Sequence, residues 1–291
     1  MPIKDERSSC IDIREDDLLA LSAEVLDTLL RDHTTGKNIF WATHDYEALG
    51  TEYDYHSEIL PHLITGEHGM VIRPRVLKSK ENQTDRSKDM AEVFTPSWIC
   101  NAQNNLVDKA LFSPSEELER GSWQDYVRTT CLEITCGEAP YLVSRYDATT
   151  GEAIPIGQRI GLLDRKLRVV SENTETQDDW LKWAEIAYQN TYGYEWQGDN
   201  LLLARKALLF TFMDYYQAKF GEDPTQDNIR KIAEIVSWNL WQMDGLRGKP
   251  TDYPSPGELH ENPVPDMFTT YCVIYDWDAK QEIRYIDLLG Q

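Results

Sequence analysis

Apolar residues recur at helical spacing between residues 16 and 33, where Leu18, Leu19, Leu21, Val25, Leu26, Leu29 and Leu30 form one stripe behind Asp16 and Asp17. That period predicts an amphipathic helix, and the leading acids suit its first turn, whose N–H groups lack partners. Residues 38–42 and 69–74 read as short strands. Residues 79–90 are polar and charged with no apolar period, which predicts an exposed loop and a boundary. Pro96 and Ser97 open a helix running through Trp98, Ile99, Leu106 and Val107, since proline in a first turn removes no hydrogen bond. Residues 130–135 form a short β-type run ending in Cys136-Gly137-Glu138, and Leu142 and Val143 begin the next helix.

Two more helices are predicted over 155–171 and 177–191, the second carrying Trp180, Trp183, Ile186 and Ala187. Residues 192–196 read as a strand, and 200–219 as a strong helix through Leu201, Leu202, Ala204, Leu208, Phe212 and Tyr216. A helix over 225–238 and a strand over 240–243 follow. Segments 269–275 and 282–286 flank a turn at Trp277-Asp278-Ala279-Lys280 and predict a hairpin. Alternating strand, turn and helix over 128–245 argue for an α/β sheet with crossover helices. The expected organisation is a mostly helical extension over 1–85, an α/β domain over 86–250, and a C-terminal loop and β-hairpin over 251–291.

A hydrophobic fraction of 41% and 9 Trp support a packed core. No apolar run approaches the ~18 residues of a membrane span. Met1-Pro2-Ile3-Lys4-Asp5-Glu6-Arg7 lacks the apolar stretch of a signal peptide. Cys10, Cys100, Cys131, Cys136 and Cys272 are odd in number and lack Cys-x-x-Cys spacing. They fit reduced thiols of a cytoplasmic protein better than a disulfide framework or a zinc site.

Charge complicates this picture. Fifty acids against 29 Lys and Arg leave a net charge of −21, a field that repels DNA at long range. DNA affinity rests largely on Lys/Arg contacts to phosphate. A DNA-directed function therefore requires a basic partner or a small basic patch. Arg73-Pro74-Arg75-Val76-Leu77-Lys78-Ser79-Lys80 is a candidate patch, with an ordinary solvated loop as the alternative.

Two segments carry candidate chemistry. Ala91-Glu92-Val93-Phe94-Thr95-Pro96 precedes Leu132-Glu133-Ile134-Thr135-Cys136-Gly137-Glu138 in the chain. A strand ending in a glycine turn places backbone N–H groups at the carboxyl edge of a sheet, where open α/β folds bind nucleotides. Gly137 allows close approach of a ligand because no Cβ intrudes. Glu133, at the strand end, can accept from an ammonium group. Further on, Tyr192-Gly193-Tyr194-Glu195-Trp196-Gln197-Gly198-Asp199-Asn200 leads into Leu-Leu-Leu-Ala-Arg, and a strand-end acid such as Glu195 can accept from both hydroxyls of a ribose.

In this order the segments resemble the cofactor half of bacterial N6-adenine DNA methyltransferases, the modification subunits of restriction systems. The resemblance covers roughly residues 85–245. It implies a Rossmann-like S-adenosylmethionine-dependent methyltransferase sheet with S-adenosyl-L-methionine as cofactor. Glu133, Thr135 and Gly137 would hold the methionine part, and Glu195 the ribose. Asp244, after the 240–243 strand, would meet the adenine, unless it is an ordinary turn aspartate. Phe94, Thr95 and Pro96 would close over the cofactor; read locally, they also suit a helix start with a hydrophobic staple. The chain departs from the family at Ala139-Pro140, where a second small glycine is usual. The Gly137-to-Glu195 interval also far exceeds the roughly 20 residues of a minimal βαβ unit. The excess includes Arg159-Ile160-Gly161-Leu162-Leu163-Asp164-Arg165-Lys166-Leu167, which reads as an insertion over 145–191.

The family's catalytic Asn/Asp-Pro-Pro-Tyr/Phe, which receives a base flipped out of the duplex, is absent from the sequence. The nearest string, Asn262-Pro263-Val264-Pro265, lacks the paired prolines and the aromatic and reads as a loop. The resemblance therefore implies a cofactor-binding subunit of a site-specific DNA adenine methyltransferase, from a bacterial restriction–modification or a phage system. A second chain would supply the catalytic motif and target recognition. The alternative is a catalytically inactive acidic regulatory protein on the same fold, imitating the charge of DNA or acting as a stoichiometric partner. A small-molecule or protein methyltransferase fits the Phe-Thr-Pro segment less well. The six histidines lack metal-binding spacing and no Gly-x-Ser-x-Gly motif is present.

Overall fold

The computed structural model describes residues 13–89, 94–112, 122–251 and 271–289. The N-terminal part contributes helices α1 (Glu15–Leu21), α2 (Ala23–Leu30) and α3 (Lys80–Asp89), followed by α4 (Ser97–Phe112) and α5 (Trp123–Arg128). Strand β1 (Cys131–Glu133) leads through α6 (Leu162–Asn173) and α7 (Gln177–Gln189) to β2 (Thr191–Glu195). Helices α8 (Gly198–Phe220) and α9 (Gln226–Asn239) then connect to β3 (Leu240–Gln242). The C-terminal part holds β4 (Val273–Asp276), β5 (Gln281–Arg284) and α10 (Tyr285–Leu289). The protein is thus mixed α/β. Its main sheet has three parallel strands in the order β1-β2-β3, with Glu133 opposite Gly193 and Glu195 opposite Gln242. No described helix is long and apolar enough to cross a membrane.

Helix α8 sits at the centre because its apolar residues run all round it rather than along a stripe, and such a helix must be covered on every side. Residues from Gly198 to Tyr216 are buried. Val25, Leu26, Leu29 and Leu30 of α2 join the same core as Leu201, Leu208 and Phe212 of α8 and Ile232 and Val236 of α9. Arg205 ties these pieces together, donating to the carbonyls of Leu29, Arg31, Ser237 and Leu240. On the other side, Tyr194 and Trp241 pack with Cys272, Ile274 and Tyr285 in a second cluster. The antiparallel β4–β5 hairpin supplies Ile274 to that cluster.

The N-terminal segment docks on the carboxyl edge of the sheet. The Gln242 side chain accepts from the Phe40 N–H at 2.8 Å and donates to the Phe40 carbonyl at 2.9 Å. The rest of 38–42 bonds piecemeal to residues 30 and 55–59, so these residues form only isolated bridges instead of the expected strand. A Cβ on Gly198 would stand 2.0 Å from the Phe40 carbonyl oxygen, so the approach requires glycine there.

Five local expectations change. The single helix over 16–33 is two helices, because Ser22 takes an extended backbone between α1 and α2. Residues 69–74 form turns and bends rather than a strand. The expected loop over 79–90 is helix α3. It has no apolar face and is held by Arg86, buried against Asp199 and Gln197. No helix begins at Leu142: Ala139 is left-handed with φ 60°, the Leu142 and Val143 N–H groups close a single turn on the Ala139 carbonyl, and the Tyr141 and Leu142 N–H groups also bond to the Glu133 carboxylate. The next α-helix is α6, and the predicted 155–171 helix is a 3-10 turn (Ile156–Gln158) followed by α6.

Candidate functional site

Parallel pairing in register brings the ends of β1 and β2 side by side, and the loops that follow them frame a cavity of about 960 Å³. Its size lies toward the upper end of the roughly 300–1,000 Å³ typical of small-molecule sites. Phe94, Thr95, Glu133, Thr135, Gly137 and Glu195 all line it. Pro96 and Asp244 do not. The Pro96 carbonyl accepts from Ile99 and Cys100 at the start of α4. Asp244 holds a turn, accepting from the N–H groups of Leu246 at 2.9 Å and Arg247 at 3.3 Å. Ala91, Glu92 and Val93, and Asn262 through Pro265, lie outside the described residues.

Glu195 reaches back across the sheet end. Its Oε2 accepts from the Gly137 N–H at 2.8 Å and its Oε1 from the Gln197 N–H at 3.3 Å. Glu133 accepts from the Tyr141 and Leu142 N–H groups at 3.3 and 3.2 Å. Each carboxylate oxygen keeps further lone-pair capacity beyond these bonds. Burial pushes the Glu133 carboxyl up to about 8, and the neighbouring Glu195 charge adds to the rise. Burial likewise raises Glu195 to about 7, with its N–H donors opposing. Both acids are buried, and neither forms an ion pair with a described Lys or Arg. The cavity therefore holds two largely protonated acids near neutral pH, which a cationic ligand would drive toward their charged forms.

The turn between these acids is strained. Thr135 at φ 46° and Ala139 at φ 60° occupy the left-handed region beside Gly137 at φ 54°, and a non-glycine residue there costs about 1–2 kcal/mol. Such strain persists where the surroundings over-determine the backbone, often at binding sites. The Phe94 ring lies 3.4 Å from the position a Gly137 Cβ would take, an ordinary contact, so the left-handed backbone rather than space favours glycine there. Arg75 stacks over the other partner in this contact, with its guanidinium 5.3 Å from the Phe94 ring centroid.

Several lining residues carried no legible signal. Ala42 and Tyr55 come from the N-terminal segment, Asn104 and Val107 from α4, and Tyr141 from the loop after Gly137. Leu132, Ile134, Cys136, Trp196, Gln197 and Asn200 were marked only as neighbours of Glu133, Gly137 and Glu195 within the two motifs. The rim is apolar and open: Leu132 and Ile134 are 44% and 62% exposed, and β1 is the terminal strand of the sheet.

The basic stretch at 73–80 is largely engaged within the protein. Lys78 Nζ meets the buried Asp199 at 3.0 Å, Arg73 donates to the Met70 carbonyl, and Arg75 bonds to Ser87. Among the described residues, no group of three His, Cys, Asp or Glu is placed to hold a metal ion. No protein-family model, no curated protein and no solved structure matches the chain.

Proposed function

We propose that the cavity binds S-adenosylmethionine and that the chain is the cofactor-binding subunit of a site-specific DNA adenine methyltransferase. The observation that carries this reading is the convergence of Glu133, the Gly137 turn, Glu195 and Phe94 on one cavity at the carboxyl edge of a parallel sheet. Open α/β sheets bind nucleotides at that edge. The residues fit the cofactor's chemistry. Glu133 and Glu195 offer carboxylates to an ammonium and a ribose, Gly137 admits close contact, and Phe94 supplies an apolar face. Two buried acids with no basic partner also suit a ligand bearing a sulfonium and an ammonium. The cofactor supplies an electrophilic methyl group; the chain's own residues orient it and exclude water.

In this reading Asp244 plays no part, and adenine contacts come from Tyr55, Trp196 or Asn200 on the wall nearest the N-terminal segment. The absent Asn/Asp-Pro-Pro-Tyr/Phe motif belongs to a partner chain, which docks at the open rim formed by Leu132, Ile134 and Val107. Its arrival would cover apolar surface that is now solvated and complete the second-substrate side of the cavity. The partner also carries the basic surface that a chain of −21 lacks overall.

Calorimetric titration of the purified chain with S-adenosylmethionine tests this. Micromolar affinity is expected for the wild type. Glu195→Gln should weaken it by about tenfold or more, because a neutral amide keeps an acceptor but loses a charge-assisted bond. Asp244→Ala should leave the affinity unchanged. Absence of both heat and thermal shift at millimolar cofactor would sink the cofactor assignment and leave an acidic binding protein on a related fold.

A further inference from the structure

A second cleft lies on another face of α4. Gln103, Asn104 and Val107 of that helix line the cavity, whereas Asn101, Asn105 and Asp108 line a separate cleft of about 410 Å³. Arg159, Arg165 and Arg168 line the same cleft, against Asp108 as the single lining carboxylate. That balance is the reverse of the chain as a whole, with its net charge of −21. The three arginines come from the 145–191 insertion, which the cofactor cavity uses only through Leu162.

The arginines are arranged in depth. Arg159 borders the cleft, but its side chain is fully buried and turned to Asp214, which its Nη2 meets at 2.7 Å, so it adds positive charge behind the wall rather than an accessible donor. Arg165 pairs with Asp108 and donates to Asn101 Oδ1 at 2.8 Å, so its plane is fixed. Arg168 is half-buried, donates to the Arg159 carbonyl at 2.6 Å, and makes no ion pair with any described residue. Asn101, Asn105 and Gln158 add amide donors around it. Asp164 is close to Arg159, but its buried carboxyl is pushed up towards the neutral form and is occupied capping α6 through the Ser144 and Gly161 N–H groups.

We infer that this cleft binds a phosphate group, held by Arg168 and Arg165 at its rim. Planar guanidinium forks match phosphate oxygens two at a time, which point charges on lysine do not. The acidic surface elsewhere does not prevent this, because exposed charges more than about 8 Å away are largely screened at physiological salt. The phosphate is either part of a nucleic-acid backbone or a free phosphate monoester; both present the same oxygens. The inference is independent of the cofactor reading, since the two sites share no lining residue.

The test uses the full chain with three probes: inorganic phosphate, adenosine monophosphate, and a labelled short DNA supplied single-stranded and as a duplex. Calorimetry follows the first two and fluorescence anisotropy the third. At least one probe should bind with a submillimolar Kd. Arg168→Glu should abolish that binding, and Arg168→Lys should weaken it by about tenfold by losing the fork while keeping the charge. Both variants should melt with the wild type, since Arg168 is only half-buried. Tighter binding of DNA than of the monoester, with a salt-dependent affinity, assigns the backbone as the source. Equal binding of phosphate and monoester, with no gain from DNA, assigns the free group. Failure of all probes at millimolar concentration, or binding that ignores Arg168→Glu, overturns the proposal.

Discussion

Arg86→Ala is expected to destabilise the protein by about 3 kcal/mol, the lower end of the cost of breaking a buried ion pair by removing one partner. Helix α3 is wholly polar, so no apolar stripe can hold it to the body. Its buried anchor is the Arg86 guanidinium, which meets Asp199 at 3.0 Å and also bonds to Asp45 and Gln197, with an Arg75–Ser87 bond beside it. The Asp199 side chain is fully buried, and although burial alone would raise its carboxyl, the Arg86 and Lys78 charges hold it well below the usual range. Without Arg86, Asp199 would keep Lys78 and the Tyr46 hydroxyl, which is why the loss falls at the lower end. A carboxyl depressed in the folded state stabilises above its unfolded value, and that contribution is lost as pH falls. Urea unfolding at neutral pH should therefore show the deficit, and acid unfolding of the variant should begin at higher pH. Amide exchange over 80–88 should rise as α3 detaches. A variant with unchanged urea midpoint and unchanged exchange would contradict the assignment of α3 as an arginine-anchored helix.

The second large effect is a loss of stability as pH rises from about 5 to 8. Glu133 and Glu195 sit near 8 and 7 in the folded protein against an ordinary 4.5. Between those limits the folded chain holds protons that the unfolded chain has released. The contribution is complete below about pH 4.5 and disappears as pH rises through 7 to 8. At about 1.4 kcal/mol per pH unit of difference, Glu195 alone accounts for a change on the order of 3 kcal/mol. Asp32 and Asp164 shift in the same direction through burial, so a comparison of variants isolates the cavity. Glu133→Gln combined with Glu195→Gln imitates the neutral acids and should flatten most of the slope in urea midpoints between pH 5 and 8.5. An unchanged slope would show that the two carboxyls ionise normally. A cationic ligand has the opposite preference. Its affinity should rise over the same window and its binding should release protons, whereas a neutral ligand would show neither.

Local pattern sufficed where one residue type decides locally. The helices over 200–219 and 225–238, the strand at 192–196 and the C-terminal hairpin follow from apolar spacing, a Thr225 cap and turn residues, and they stand within a few residues of their predicted bounds. The short motifs around Phe94, Glu133, Gly137 and Glu195 also marked positions that share one cavity. Pattern failed where long-range pairing decides. Segment 79–90 has no apolar period because its anchor is a charge whose partner, Asp199, lies in α8. Segment 38–42 bonds piecemeal to residues 30 and 55–59, and at Phe40 to a glutamine side chain two hundred residues away, so no continuous strand forms. The turn after Gly137 coils around the Glu133 carboxylate through left-handed Thr135 and Ala139, residues that give no such signal in isolation.

Sequence by itself determined the α/β class, the order of its main elements and the acids that could serve a ligand, because propensity, periodicity and turn chemistry act over a few residues. Tertiary structure alone decided which of those acids share a cavity. It set Glu133 and Glu195 side by side through parallel register, left Asp244 as a turn residue, and used Lys78 within the core. It also gathered Arg159, Arg165 and Arg168 against α4. Burial and charge at each of these places depend on what packs there from distant parts of the chain, and that information is written in contacts rather than in local order.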